Sequence, residues 1–208
     1  MQIENHGHIV LNDAPCPDQT TIAVTGMGRS GTTMVARILA ALDIPMGPDV
    51  SDNFLEEDRI VRLLKAGAMG EFAGLCQERD SRYERWCFKC PTLRVRLAEV
   101  DPILRNPRYI ITYRDMVAIS SRNLLELGSD PTAALEAQAR KQYNLMRALL
   151  ALSAPVLLLS YEKAMRYPEH SVTLIAGFCG TTLDPDQAAQ LAQAEIRPND
   201  PRYLGALQ

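Results

Sequence analysis

A chain of 208 residues, 47% hydrophobic and 23% charged, has an ordinary globular profile and the length for one core with at most one embellishment. That profile excludes a disordered, fibrous or membrane-embedded chain, since no apolar run approaches the ~20 residues that a membrane span requires. A net charge of −3 argues against nonspecific nucleic-acid binding, which needs a basic face to neutralise phosphates.

The first strong element is a strand at 21–25, an apolar, β-prone run that stops at Gly26. Gly26-Met27-Gly28-Arg29-Ser30-Gly31-Thr32-Thr33 then turns into a helix marked by Met34, Val35, Ile38, Leu39 and Leu42, which Pro45, Gly47 and Pro48 bring to an end. Gly26 and Gly31 carry P-loop spacing, so backbone N–H groups are expected to point at phosphate oxygens in front of a positive helix end. A nucleotide-hydrolysing loop places Lys after its second glycine; here Thr32 stands there, and the loop's cation is Arg29.

Residues 54–64 read as a helix with an acidic start at Glu56, Glu57 and Asp58, and 66–74 as a Gly-containing stretch without assignment. A strand at 85–91 ended by Pro91, a short helix at 93–100, a strand at 109–113 and a helix at 117–127 follow. The spacing then predicts a long amphipathic helix over 132–152, with Leu135, Ala139, Tyr143, Met146 and Leu149 on its apolar face. An aliphatic strand at 156–160 reads as central, and Val172, Ile175, Ala176 and Cys179 mark a covering helix. Alternating strands and helices predict a three-layer, P-loop-like α/β domain with a mostly parallel sheet and ligands outside the carboxyl ends of its strands. The reading spans 1–208 as a single domain, with 1–18 as an N-terminal extension and 196–208 as a tail.

The five cysteines, Cys16, Cys76, Cys87, Cys90 and Cys179, form a sparse, odd set suited to a reducing compartment, and 1–8 has no basic patch leading into an apolar segment. A cytoplasmic protein is expected. Cys87 and Cys90 lack a second pair at metal spacing, so no metal site is expected either.

Arg114, just after the strand at 109–113, offers a planar fork to phosphate oxygens, and Ser120 or Ser121 in the following helix adds a hydroxyl donor. A rival reading takes Asp115 as a strand-end Mg²⁺ ligand and the chain as an ATP-dependent kinase, against which the missing loop Lys counts. A catalytically silent nucleotide-binding module is the third alternative.

The loop resembles the 5′-phosphosulfate loop of sulfotransferases that use 3′-phosphoadenosine 5′-phosphosulfate (PAPS), typically Pro-Arg/Lys-Ser-Gly-Thr-Thr. Arg29, Ser30, Gly31, Thr32 and Thr33 match, and Gly28 stands where the family usually has Pro. Residues 154–163, 167–169 and 178–180 resemble the family's late strand and helix. The resemblance implies sulfuryl transfer from PAPS, leaving adenosine 3′,5′-bisphosphate (PAP), to a hydroxyl or amine of a small-molecule or carbohydrate acceptor, without a metal. It also implies that residues 28–33 hold the 5′-phosphosulfate and that Arg114 with a serine holds the 3′-phosphate. The family's serine comes eight positions after the Arg, which here is Arg122, so Ser121 is preferred over Ser120. Lys89, in Phe88-Lys89-Cys90-Pro91, resembles the Lys-x-Pro of protein-tyrosine and bacterial carbohydrate sulfotransferases, or else is a solvated strand-end Lys. No His lies between His8 and His170, so the base is expected to be a carboxylate. The segment 53–58 resembles the aromatic-Glu-Asp motif of the Glu-using branch, pointing to Glu56 with Glu57 as competitor, while helix capping explains both equally. Late basic residues of the family cover the 3′-phosphate, a role Arg202 would take.

Overall fold

The computed structural model describes residues 5–48, 50–51, 54–128 and 130–196. In chain order its elements are β1 (His8–Leu11), β2 (Thr20–Gly26), α1 (Thr32–Ala41), α2 (Asp58–Ala66), α3 (Met69–Arg82) and β3 (Arg85–Lys89). A 3₁₀ turn (Pro91–Val95), α4 (Leu97–Val100), β4 (Arg108–Tyr113), α5 (Met116–Leu127) and α6 (Pro131–Leu149) come next. The chain then forms β5 (Val156–Ser160), α7 (Tyr161–Arg166), α8 (Pro168–Phe178) and α9 (Pro185–Glu195).

Among the described residues the sheet has five strands in the order β1-β5-β4-β2-β3. Every pairing is parallel except β1 with β5, where His8 stands opposite Leu159 and Leu11 opposite Val156. Period-two alternation divides the strand side chains between two cores. Ile22, Val24, Cys87, Ile110, Leu157 and Leu159 pack with α1, α7, α8 and α9 on one face. Ala23, Trp86, Phe88, Tyr109, Ile111, Val156 and Leu158 pack with α2 to α6 on the other. Helices on both faces of a mostly parallel sheet make the three-layer α/β architecture the element pattern calls for. Each fully buried aliphatic side chain contributes about 1.5–3 kcal/mol relative to exposure.

Several boundaries differ from the sequence expectation, each for a tertiary reason. The N-terminal extension supplies β1, whose four residues gain their ladder from β5 and carry little alternation of their own. The aliphatic β5 is therefore interior but one place from the edge. The expected helix at 54–64 starts only at Asp58, because Val50 and Glu57 form a β-bridge and Leu55 adopts a left-handed φ of 51°. The unassigned stretch lies largely in α3, where Gly70 and Gly74 are carried in the helix by the burial of Phe72, Leu75 and Cys76. The expected helix at 93–100 is a 3₁₀ turn followed by one turn of α4. In α6 the buried residues are Gln138, Leu145 and Leu149, whereas Leu135 and Tyr143 are exposed, so the core-facing stripe is rotated from the one read in the sequence.

Candidate functional site

The carboxyl ends of β2, β3 and β4 lie side by side, and three chain segments leave them into one region. From β2 comes the loop 26–33. A Cβ on Gly26 would stand 2.8 Å from the Thr112 carbonyl oxygen and 2.9 Å from Ser30 Oγ, so only glycine lets the loop press against β4. Gly31, at φ 98°, is the N-cap of α1, and a Cβ there would strike the Tyr161 ring at 2.5 Å. Arg29 holds a left-handed φ of 68°, a conformation that costs a non-glycine residue energy and recurs where ligands are clamped. Gly28 is exposed with open space where a Cβ would sit, so no close contact requires glycine there.

Ser30 is spent on the loop itself: its buried hydroxyl donates to the Met27 carbonyl at 2.7 Å and lies 2.8 Å from Thr112 Oγ1, and its N–H donates to Met27 as well. Thr32 and Thr33 open α1, which has no side-chain cap and no acidic residue in its first turn. That leaves the positive end of the helix dipole toward the loop.

β4 delivers Arg114, whose Nη1 donates to the Arg29 carbonyl at 3.1 Å and whose guanidinium lies 4.8 Å from the Tyr161 ring centroid. Tyr161 therefore links Gly31 and Arg114. Within 154–163 nothing in the sequence singles it out for a site, and its one signal is its place directly after β5, at the end of a parallel strand. Asp115 caps α5, accepting from the Ala118 N–H at 2.8 Å, so its carboxylate already has a structural job in the helix it opens. The two candidate serines differ: Ser120 is 3% exposed with its Oγ unpartnered, and Ser121 is exposed.

β3 ends in Lys89, whose side chain is 2% exposed. Its Nζ donates to Glu56 Oε1 at 2.8 Å, to the Phe54 carbonyl at 2.7 Å and to Thr33 Oγ1 at 3.3 Å. This ammonium is thus no solvated strand-end group; it ties the loop helix to the segment before α2. Glu56 keeps 26% of its side chain exposed, and Phe54 beside it is 63% exposed. Glu57, one residue on, pairs with Arg79 at 2.6 Å with both side chains almost fully buried, and Gly47 packs against that pair. Arg202 and Asn53 lie outside the described residues.

The remaining polar groups lie elsewhere. The histidines gather beside β1, with His6 and His8 against His170 at ring-centroid distances of 4.0 and 5.3 Å. Cys87 and Cys90 are buried free thiols; burial pushes both up from the ordinary thiol range. Among the described residues no three His, Cys, Asp or Glu side chains are grouped to hold a metal ion, and no helix is long and apolar enough to cross a membrane.

No family model and no curated protein matches the chain. Solved structures do share its fold. The sulfotransferase domain of the Synechococcus PCC 7002 olefin synthase aligns with a TM-score of 0.60 at 16% identity, over 93% of this chain and 84% of that one. Sulfotransferase STF1 from Mycobacterium tuberculosis aligns with 0.54 at 17% identity, over 90% and 76%. A mouse sulfotransferase, SULT7A1, complexed with PAP, aligns with 0.50 at 15% identity, over 88% and 67%.

Proposed function

We propose that this chain moves a sulfuryl group from PAPS to a hydroxyl or amine acceptor. The observation that carries this reading is the convergence at the sheet's carboxyl edge. Lys89 Nζ bonds both Thr33 of the loop and Glu56, while Arg114 bonds the backbone of Arg29. A glycine-shaped anion cradle, three cations and a part-exposed carboxylate suit transfer of an anionic group to a nucleophile that must lose a proton. The fold shared with sulfotransferases, one of them complexed with PAP, supports the same reading.

The residues fit such a donor. The loop backbone and the start of α1 would hold the 5′-phosphosulfate, with Arg29 and Lys89 beside its charged oxygens. Arg114 would hold the 3′-phosphate together with Ser120, whose buried, unpartnered hydroxyl suits an oxyanion better than the exposed Ser121. PAPS, when bound, supplies the sulfuryl group and a phosphate leaving group. Glu56 takes the acceptor's proton on a carboxylate oxygen and is positioned by Lys89; the buried pair with Arg79 gives Glu57 a structural role instead.

Isothermal titration with PAP, against ATP with Mg²⁺, tests the donor. Metal-independent binding of PAP, weakened about tenfold or more by Arg114→Ala, is the expected result. Binding of Mg-ATP without PAP would make the chain a kinase. Arg29→Ala is expected to reduce transfer by about 10²–10³ with a modest loss of PAP affinity. An affinity change with no turnover to lose would indicate a silent binding module.

A further inference from the structure

The three histidines, which the donor reading leaves unused, form one stack at the edge of the sheet. His6 and His8, on either side of Gly7, meet His170 of α8 at ring-centroid distances of 4.0 and 5.3 Å, and His6 packs edge-on against Tyr167 at 4.9 Å. His8 Nδ1 and His170 Nε2 are buried without partners. An imidazolium donates from both ring nitrogens, so a proton taken up by either ring leaves a charged N–H in that place with nothing to accept it. Burial, and then His6 and His8, lower His170 from its ordinary value, with no carboxylate opposing them. From α7, Lys163 and Arg166 stand 5.8 and 5.5 Å from the centroid of the Tyr167 ring that His6 touches, while Glu162 is turned to the Asp115 N–H. Glu169, beside His170 in α8, forms no ion pair with His8 or His170.

The strand that carries this stack is lightly held. β1 is a four-residue edge strand in which Ile9 is 58% exposed and Val10 and Leu11 are only partly buried against the two cores. Behind it the chain is anchored: Asn12 Nδ2 donates to the Leu152 and Ala154 carbonyls at 2.8 and 3.1 Å, and Arg108 donates to the Ala14 carbonyl at 3.0 Å. Undocking of β1 is therefore a local event. Ahead of it, the Gly7 carbonyl accepts from the Ser160 N–H at 2.8 Å, and a Cβ on Gly7 would strike the Lys163 side chain at 2.5 Å, so the segment lies directly on the start of α7. The residue after Ser160 is Tyr161, whose ring touches Gly31 and Arg114.

We propose that β1 is a proton-operated latch on the donor site: protonation of the His6, His8 and His170 stack undocks β1 from β5 and α8, and loss of the Gly7–Ser160 bond loosens Tyr161 and weakens donor binding in acid. When β1 is released, His170 binds its proton at the ordinary value; docking is complete above that value and is lost as pH falls below it. The effect on the donor rests on the sulfotransferase reading, and the latch itself does not.

The test is amide hydrogen exchange of the full chain at pH 7.5 and pH 5.5, corrected for the intrinsic exchange rate, with PAP titrated at the same two values. Segments 6–11 and 156–161 of the wild type are expected to exchange about tenfold faster in acid, the effect of one pKa unit. PAP affinity is expected to fall about threefold more than in His170→Asn or in His6→Gln, which leaves α8 intact should the first variant fail to fold. Protection that is unchanged in acid, or that is lost equally in both variants, would overturn the latch. Faster exchange together with a PAP affinity whose pH dependence is the same in wild type and variants would break the link to Tyr161. The expected exchange pattern with no PAP binding at either pH would uphold the latch and sink the donor assignment.

Discussion

Glu56 and Glu57 are adjacent, yet the fold gives them opposite surroundings, and their glutamine variants should fail in opposite ways. Glu57 and Arg79 are 2% and 4% exposed and 2.6 Å apart, with the guanidinium 5.9 Å from the Trp86 ring centroid. Glu57→Gln leaves that guanidinium buried without its counter-charge, which costs about 3–5 kcal/mol. For a domain of this size each kcal/mol lowers Tm by roughly 2–4 °C, so differential scanning calorimetry should show a fall of roughly 6–20 °C. Glu56, with 26% of its side chain exposed, leaves Lys89 bonded to Thr33 and the Phe54 carbonyl when it is neutralised. Glu56→Gln takes the carboxylate from a buried ammonium that keeps those two bonds, so it should cost less than Glu57→Gln. Its effect belongs in chemistry: release of PAP from PAPS with water as acceptor should fall about 10²–10⁴-fold, while Glu57→Gln assayed well below its Tm retains the wild-type rate. A Glu57→Gln protein that melts within about 2 °C of wild type, or that loses turnover while Glu56→Gln keeps it, would refute the division of roles drawn from these contacts.

Gly31→Ala meets both a φ of 98° and the Tyr161 ring, so PAP titration should show affinity reduced about tenfold or more as the loop shifts off Arg114. Burial, then the neighbouring His6 and His8, lower the His170 pKa from 6.5. The unfolded chain therefore binds this proton first: the stability is complete above pH 6.5 and lost as pH falls below it. Tm measured from pH 8 to pH 5 should drop more steeply in wild type than in His170→Asn. Burial pushes the Cys76 and Cys179 thiols up to about 12 and Cys87 well above the ordinary range, so a disulfide reagent should modify Cys16 quickly in the native protein and all five cysteines only after denaturation.

The architecture was legible where local pattern and burial agree. The strand, glycine loop and helix of 20–41 follow from side-chain periodicity and from the two glycines, because the constraints act between residues a few places apart. The aliphatic β5 announces burial on both faces in the same way. Polar placement was not legible, because it depends on partners that only folding brings near. A Lys 33 residues away holds Glu56 and an Arg 22 residues away sequesters Glu57, and no local signal separates two adjacent glutamates. Burial of Ser120 against exposure of Ser121 is a matter of helix rotation about α5, decided by what α5 packs on. The same holds for α6, where packing against α5, α4 and the 3₁₀ turn leaves Gln138 inward and Tyr143 outward against the hydropathy pattern. The sequence by itself determined the alternation of the interior strands with helices and the glycine-rich loop after β2, since these rest on backbone geometry and on apolar spacing within single segments. Tertiary structure alone decided which charged and polar groups face that loop, because a side chain's charge acts through distance and burial, and both are properties of the packed chain.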